Sequence, residues 1–191
     1  MLRIVLVCLW LAQGVFAQAK PADGGAVFWA ELQKLCGKAY TGTLVAAPAD
    51  DTTFKDKELV MHVRACEKNR IRIPFFVGAD KSRTWALTRL KNGRIMLKHD
   101  HRHEDGTPDK VTLYGGVTTN SGLPTRQVFP ADQATVDTLP AAAPNVWWIE
   151  LAGGDFFSYN LRRMGSERFF SIKFNLKTEA PTPAAPWGWK N

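Results

Sequence analysis

From about residue 40 almost to the C-terminus, apolar residues of this chain fall at every second position. That regularity restricts the fold to antiparallel strands with one buried face. Leu59, Met61, Val63 and Ala65 alternate with Val60, His62 and Arg64, and Ile71, Ile73, Phe75 and Val77 alternate with Arg70, Arg72 and Pro74. Pro74 has no N–H for a ladder and marks an edge or a bulge. Trp85 and Leu87 continue the pattern, and Asn92-Gly93 is a two-residue hairpin signal. Further strands are expected over 40–46, 111–114, 145–151, 156–163 and 168–177. About eight or nine short strands joined by tight turns predict a mainly β domain, an up-and-down barrel or alternatively a two-layer sandwich. The barrel is favoured because the connections are local and closure removes the sheet edges. Residues 115–145, with Gly115-Gly116, Pro124, Pro130 and 140–144 (Pro-Ala-Ala-Ala-Pro), break the alternation and predict a long loop with a helical turn over 131–136.

Ahead of the strands the period is helical. Phe28, Leu32 and Leu35 recur over 26–36, Asp23 stands where an N-cap belongs, and Gly37 where a left-handed C-cap belongs. This helix is expected to pack onto the strands or plug one end of them. Residues 1–19 read as an export signal: Arg3, an apolar run, then small residues that allow cleavage after Ala17 or Ala19. That run is too short to span a bilayer, and no later segment is long and apolar enough, so a mature chain without a transmembrane helix is expected in the periplasm or outside the cell. An outer-membrane barrel is disfavoured, because Arg64, Arg70, Arg72 and Lys173 on its outward face would meet lipid. Removal of the signal leaves Cys36 and Cys66 as the only thiols, and an oxidising compartment favours one disulfide between them. The organisation expected is a single β domain over 20–180 followed by a flexible Pro/Ala-rich tail, 181–191, whose Trp187 and Trp189 can dock on the domain.

The helix, the strand entry Gly37-x-x-Tyr40-x-Gly42 and the antiparallel meander together resemble the lipocalin and fatty-acid-binding (calycin-type) barrels over residues 26–177. The resemblance implies a closed barrel holding a small ligand. The Gly-x-Trp signature of lipocalins is absent, so no ligand-contact residue carries over from it. Taken whole, the chain is also similar to small exported bacterial proteins of unknown function.

Titratable chemistry concentrates in 97–106, which holds His99, His101 and His103, three of the four histidines. On a strand these share one face with Ile95 and Leu97. If 106–108 closes a three-residue hairpin, His103 faces Val111 and His101 faces Leu113, and the histidines point inward. Three readings follow. Zinc or copper needs imidazoles converging on one point, so His99 and His101 with Glu104 form a candidate metal set, with Asp105 or His62 as other third ligands. Acid–base catalysis would pair His101 with Asp100 or Glu104, against the geometry of adjacent strand residues. The plainest reading is a hydrogen-bonded polar rim at a barrel mouth, beside a turn held by Asp105.

Candidate ligand-binding residues are therefore His99, His101, His103, Tyr114, Trp85 and Tyr159, with Tyr40, Phe157, Phe170 and Phe174 as further inward aromatics. Core packing is the ordinary use of such residues. The formal charge of +7 is spread among acids, and with no nucleic-acid motif a nucleic-acid partner is not expected. Ser82 and Ser121 lack a nucleophile elbow, and neither Gly-Gly pair has a phosphate-cradle pattern. The function expected is an exported barrel binding a small, partly apolar molecule without catalysis. The alternatives are a metal-binding protein or metal-dependent hydrolase using the histidines, and an envelope interaction protein with a filled barrel.

Overall fold

The computed structural model describes residues 23–190, so the export signal expected over 1–19 lies outside the described residues. Eleven strands form one antiparallel sheet: β1 (Ala39–Ala46), β2 (Leu59–His62), β3 (Ala65–Glu67), β4 (Arg70–Val77), β5 (Asp80–Arg89), β6 (Ile95–His101), β7 (Tyr114–Val117), β8 (Arg126–Pro130), β9 (Asn145–Ala152), β10 (Phe156–Arg163) and β11 (Phe169–Asn175). Two helices, α1 (Gly24–Gln33) and α2 (Gln133–Thr138), and a 3₁₀ turn over Pro140–Ala142 complete the described elements.

Strand order along the sheet is β7-β6-β5-β4-β2-β1-β11-β10-β9-β8, with β3 beside β4. Almost every pair is a sequence neighbour, and the last strand returns to the first through β1–β11. A single curved sheet excludes the sandwich. The remaining opening, between β7 and β8, is spanned by a Gly116–Ala131 bridge and by the Asp132 N–H donating to the Gly115 carbonyl at 3.1 Å. The molecule is thus a nearly closed antiparallel barrel.

This seam corrects the expected loop. Residues 115–145 contain most of β7, whose two middle residues are glycine, and all of β8, and their helix is α2, two residues later than expected. The same glycines that interrupt the apolar pattern permit closure, since a Cβ on Gly116 would overlap the Pro130 carbonyl. Thr135 on α2 accepts the Gly115 N–H at 2.7 Å, lacing the helix to β7. Gly42 works similarly inside the barrel, where a Cβ would stand 2.6 Å from the Phe174 ring. Pro74, which has no N–H to give, falls opposite the break between β2, which pairs with 75–77, and β3, which pairs with 70–72.

Inward residues fill the barrel from one end. Phe28, Trp29 and Leu32 of α1 are buried against the end where β5 leaves and β6 enters, so the helix closes that mouth. Asp23 caps it by accepting the Gly25 N–H at 3.0 Å, and Gly37 has the expected left-handed backbone (φ 85°). Ile71, Leu87, Leu97, Ile149, Phe157 and Phe174, all fully buried, continue the packed half. The other end, reached by the 46–59 loop, α2 and the β10–β11 turn, stays open.

Cys36, just after α1, and Cys66 in β3 form a disulfide with Cα atoms 6.1 Å apart, tying the plug to the wall. Its 30-residue separation closes a loop whose cross-link is worth about 2–4 kcal/mol. The Cys36→Ser/Cys66→Ser variant is therefore expected to unfold at lower urea with that loss, measured at pH 7. The tail expected to be flexible is held along 186–190. Trp187 N–H donates to the Lys81 carbonyl at 3.2 Å, Arg72 lies 4.4 Å over the Trp189 ring, and Arg64 donates to the Lys190 carbonyl at 3.2 Å.

Candidate functional site

The period-2 rule places the site. On β5, β6, β9, β10 and β11 the odd or even positions that fill the core continue outward to the open mouth, so each strand delivers one aromatic and then one polar residue. Trp85 precedes the mouth on β5 and Arg83 reaches it, and His99 and His101 do the same on β6. Trp147 and Asn145 follow on β9, Tyr159, Leu161 and Arg163 on β10, and Phe170 with Arg168 on and before β11. These residues surround a cavity of about 390 Å³, to which the 46–59 loop adds Asp51 and Phe54, and the stretch after α2 adds Leu139.

The floor is a stack of rings. Trp85 lies parallel to Tyr159 at 4.4 Å and to Phe75 at 4.7 Å between centroids. His99 stacks on Tyr114 at 4.6 Å. Such contacts add about 0.5–1.5 kcal/mol each beyond burial, so the floor is stiff.

Buried hydrogen bonds set its protonation. His99 Nδ1 lies 2.9 Å from the Tyr114 carbonyl, which can only accept, so Nδ1 carries the proton. Nε2 then accepts the Tyr159 O–H at 2.7 Å. Burial pushes His99 down to about 3, opposed by its bond to the Tyr114 carbonyl and reinforced by His101 and Lys98. Burial likewise raises Tyr159 well above the usual phenol range and carries Tyr114 up to about 12. His101 is held below the ordinary imidazole value by burial and Arg83, against Asp109, Asp80 and Asp100. Its Nε2 lies 3.1 Å from the Tyr114 hydroxyl. The floor is neutral at pH 7, and charge enters only at the rim.

Of the sequence candidates, His99, His101, Trp85, Tyr114 and Tyr159 meet in this cavity, with Phe170. His103 and Glu104 do not. The turn closes two residues earlier than expected: the His103 N–H donates to the Thr107 carbonyl at 2.9 Å and Arg102 bridges Pro108, leaving His103 and Glu104 exposed on the turn. The returning chain then bulges, with Leu113 in a left-handed conformation (φ 56°), so that Asp109 faces His101 and Tyr114 faces His99. Asp105 does hold the turn, accepting the Thr107 N–H at 2.9 Å.

The set His99, His101 and Glu104 is therefore not assembled. Both His99 nitrogens are engaged, and among the described residues no group of three His, Cys, Asp or Glu side chains is placed to hold a metal ion. His62 ends β2 beside Gly37, among the residues at the plugged end. Tyr40, Phe157 and Phe174 belong to the packed core and not to the cavity. Sequence reasoning missed Arg83, Asn145, Trp147, Arg163 and Arg168, although each is an inward-parity neighbour of a residue it had placed. Phe54, from an irregular loop, left no such signal. Comparison with protein-family models, with curated proteins and with solved structures finds no match for this chain.

Proposed function

We infer that the protein is an exported binding barrel that takes a small, partly apolar molecule into its open mouth and does no chemistry on it. The observation that carries this reading is the cavity itself: about 390 Å³, ring-lined below and polar at the rim, the composition of a small-molecule site. A barrel built only as a scaffold for partner contacts would be packed through, as the α1 end is. The disulfide fits an oxidising compartment, periplasmic or extracellular. The likeness to calycin-type barrels is architectural and supplies the site's location at the open end.

The test is a fluorescence titration with N-phenyl-1-naphthylamine, a neutral apolar probe, on the wild type and on Leu161→Trp. Leu161 faces the cavity between Tyr159 and Arg163, and an indole there fills the space. Saturable one-to-one binding that the variant loses, with its melting temperature maintained, supports the reading. No saturable binding to a folded wild type, or equal binding by both, overturns it.

A further inference from the structure

We propose that the ligand is an aromatic acid, its ring on the Trp85–Tyr159 floor and its carboxylate held at the rim by Arg163 and Arg168. This rests on the cavity being a ligand site. Arg163 ends β10 and Arg168 precedes β11, and the Arg163 N–H donates to the Arg168 carbonyl at 3.0 Å, so the two residues stand directly opposite across the hairpin. Both line the cavity. Like charges in that relation repel each other. Among the described residues neither guanidinium has a carboxylate partner, whereas the neighbouring Arg83 is paired with Asp80.

The Arg163 guanidinium is aimed by donating Nε–H to Asn145 Oδ1 at 3.0 Å, which leaves its two terminal nitrogens for an oxyanion. A carboxylate bridging the two arginines removes their repulsion and accepts from both. The acids that line the cavity, Asp50 and Asp51, belong to the 46–59 loop, which leaves the wall beside β11, and Asp51 is occupied with the Phe54 and Lys55 N–H groups at 3.0 Å. The volume is at the small end of the ligand-site range, and its floor is planar rings, so it suits a compact ring compound and not a long alkyl chain.

The experiment is calorimetric titration with 2-naphthoate, with its neutral counterpart 2-naphthamide, and with palmitate, on the wild type, on Arg163→Gln/Arg168→Gln and on Arg168→Gln alone. The proposal expects naphthoate to bind wild type about tenfold or more tightly than naphthamide. It expects the double variant to lose that preference and bind the two alike. Should the double variant fail to fold, the exposed Arg168→Gln change alone is expected to reduce the preference. Equal affinity of wild type for acid and amide overturns the charge assignment while leaving the binding cavity intact. A preference that survives in the variants overturns the role of these arginines. Tighter binding of palmitate than of naphthoate overturns the ring class. Absence of binding by naphthoate, naphthamide and palmitate overturns the proposal, and N-phenyl-1-naphthylamine then decides whether the cavity reading falls with it.

Discussion

Between pH 6.5 and pH 3 the protein is expected to lose of the order of 4 kcal/mol of stability through His99 alone, about 2 of it by pH 5. His99 is 3% exposed, and its folded-state value is depressed from 6.5 to about 3. Over that interval the unfolded chain binds a proton that the folded chain refuses, so stability is present in full above the unfolded value and falls as pH drops through the window. Accommodating the proton would place an imidazolium in the ring floor and make Nε2 a donor facing the Tyr159 hydroxyl, whose own proton already points at it. Urea unfolding at pH 7, 6 and 5 measures the loss, with His99→Gln as the control that has no such group. The wild type should show the steeper decline, and His62 and His101, also held low by burial and by Arg64 and Arg83, account for a remaining slope in the variant. Equal slopes would mean that His99 takes up its proton without unfolding.

Trp85→Ala is the second large effect, a loss of about 3–5 kcal/mol. Trp85 is 2% exposed and central to the stack, contacting Phe75 and Tyr159 face to face and Phe157 at 6.0 Å. Its removal destabilises through lost transfer energy and through a void that the barrel wall, held on both sides by β4 and β6, closes poorly. Because that void joins the mouth cavity, the same variant is expected to bind larger ring compounds than the wild type, or to bind N-phenyl-1-naphthylamine more weakly for want of the floor. Thermal unfolding at pH 7 checks the stability loss, which would be contradicted by a change within about 1 kcal/mol of wild type.

The alternation of Ile71-Arg72-Ile73 and its equivalents made the antiparallel strands legible in the sequence, because period 2 with one apolar face has one physical meaning; barrel and sandwich share it, and the strand order separates them. Where residues serve the approach of backbones, the pattern disappears. Gly115 and Gly116 read as loop, yet they are β7, chosen for a seam too close for side chains. The inward face of His99 and His101 was legible from the apolar residues preceding them on β6. The partner register was not, since a bulge through Leu113 at positive φ is unforeseeable in a residue that rarely adopts it. The set His99, His101 and Glu104 is not brought together because that same turn carries His103 and Glu104 outward. The arginine rim was readable in principle, two positions beyond Trp85, Leu161 and Phe170. It went unread because charged residues at strand ends are ordinarily solvated.

The most direct measurement is of the tryptophan indole N–H signals in a ¹⁵N–¹H correlation spectrum, assigned by Trp→Phe variants, as N-phenyl-1-naphthylamine is added. Trp85 and Trp147 line the cavity, Trp29 sits in the plug at the opposite end, and Trp148 stacks outside the barrel on Phe169. A ligand in the open mouth shifts the Trp85 and Trp147 signals and leaves those of Trp29 and Trp148 where they were. Shifts at Trp148 or Trp29, with Trp85 and Trp147 unmoved, would contradict it.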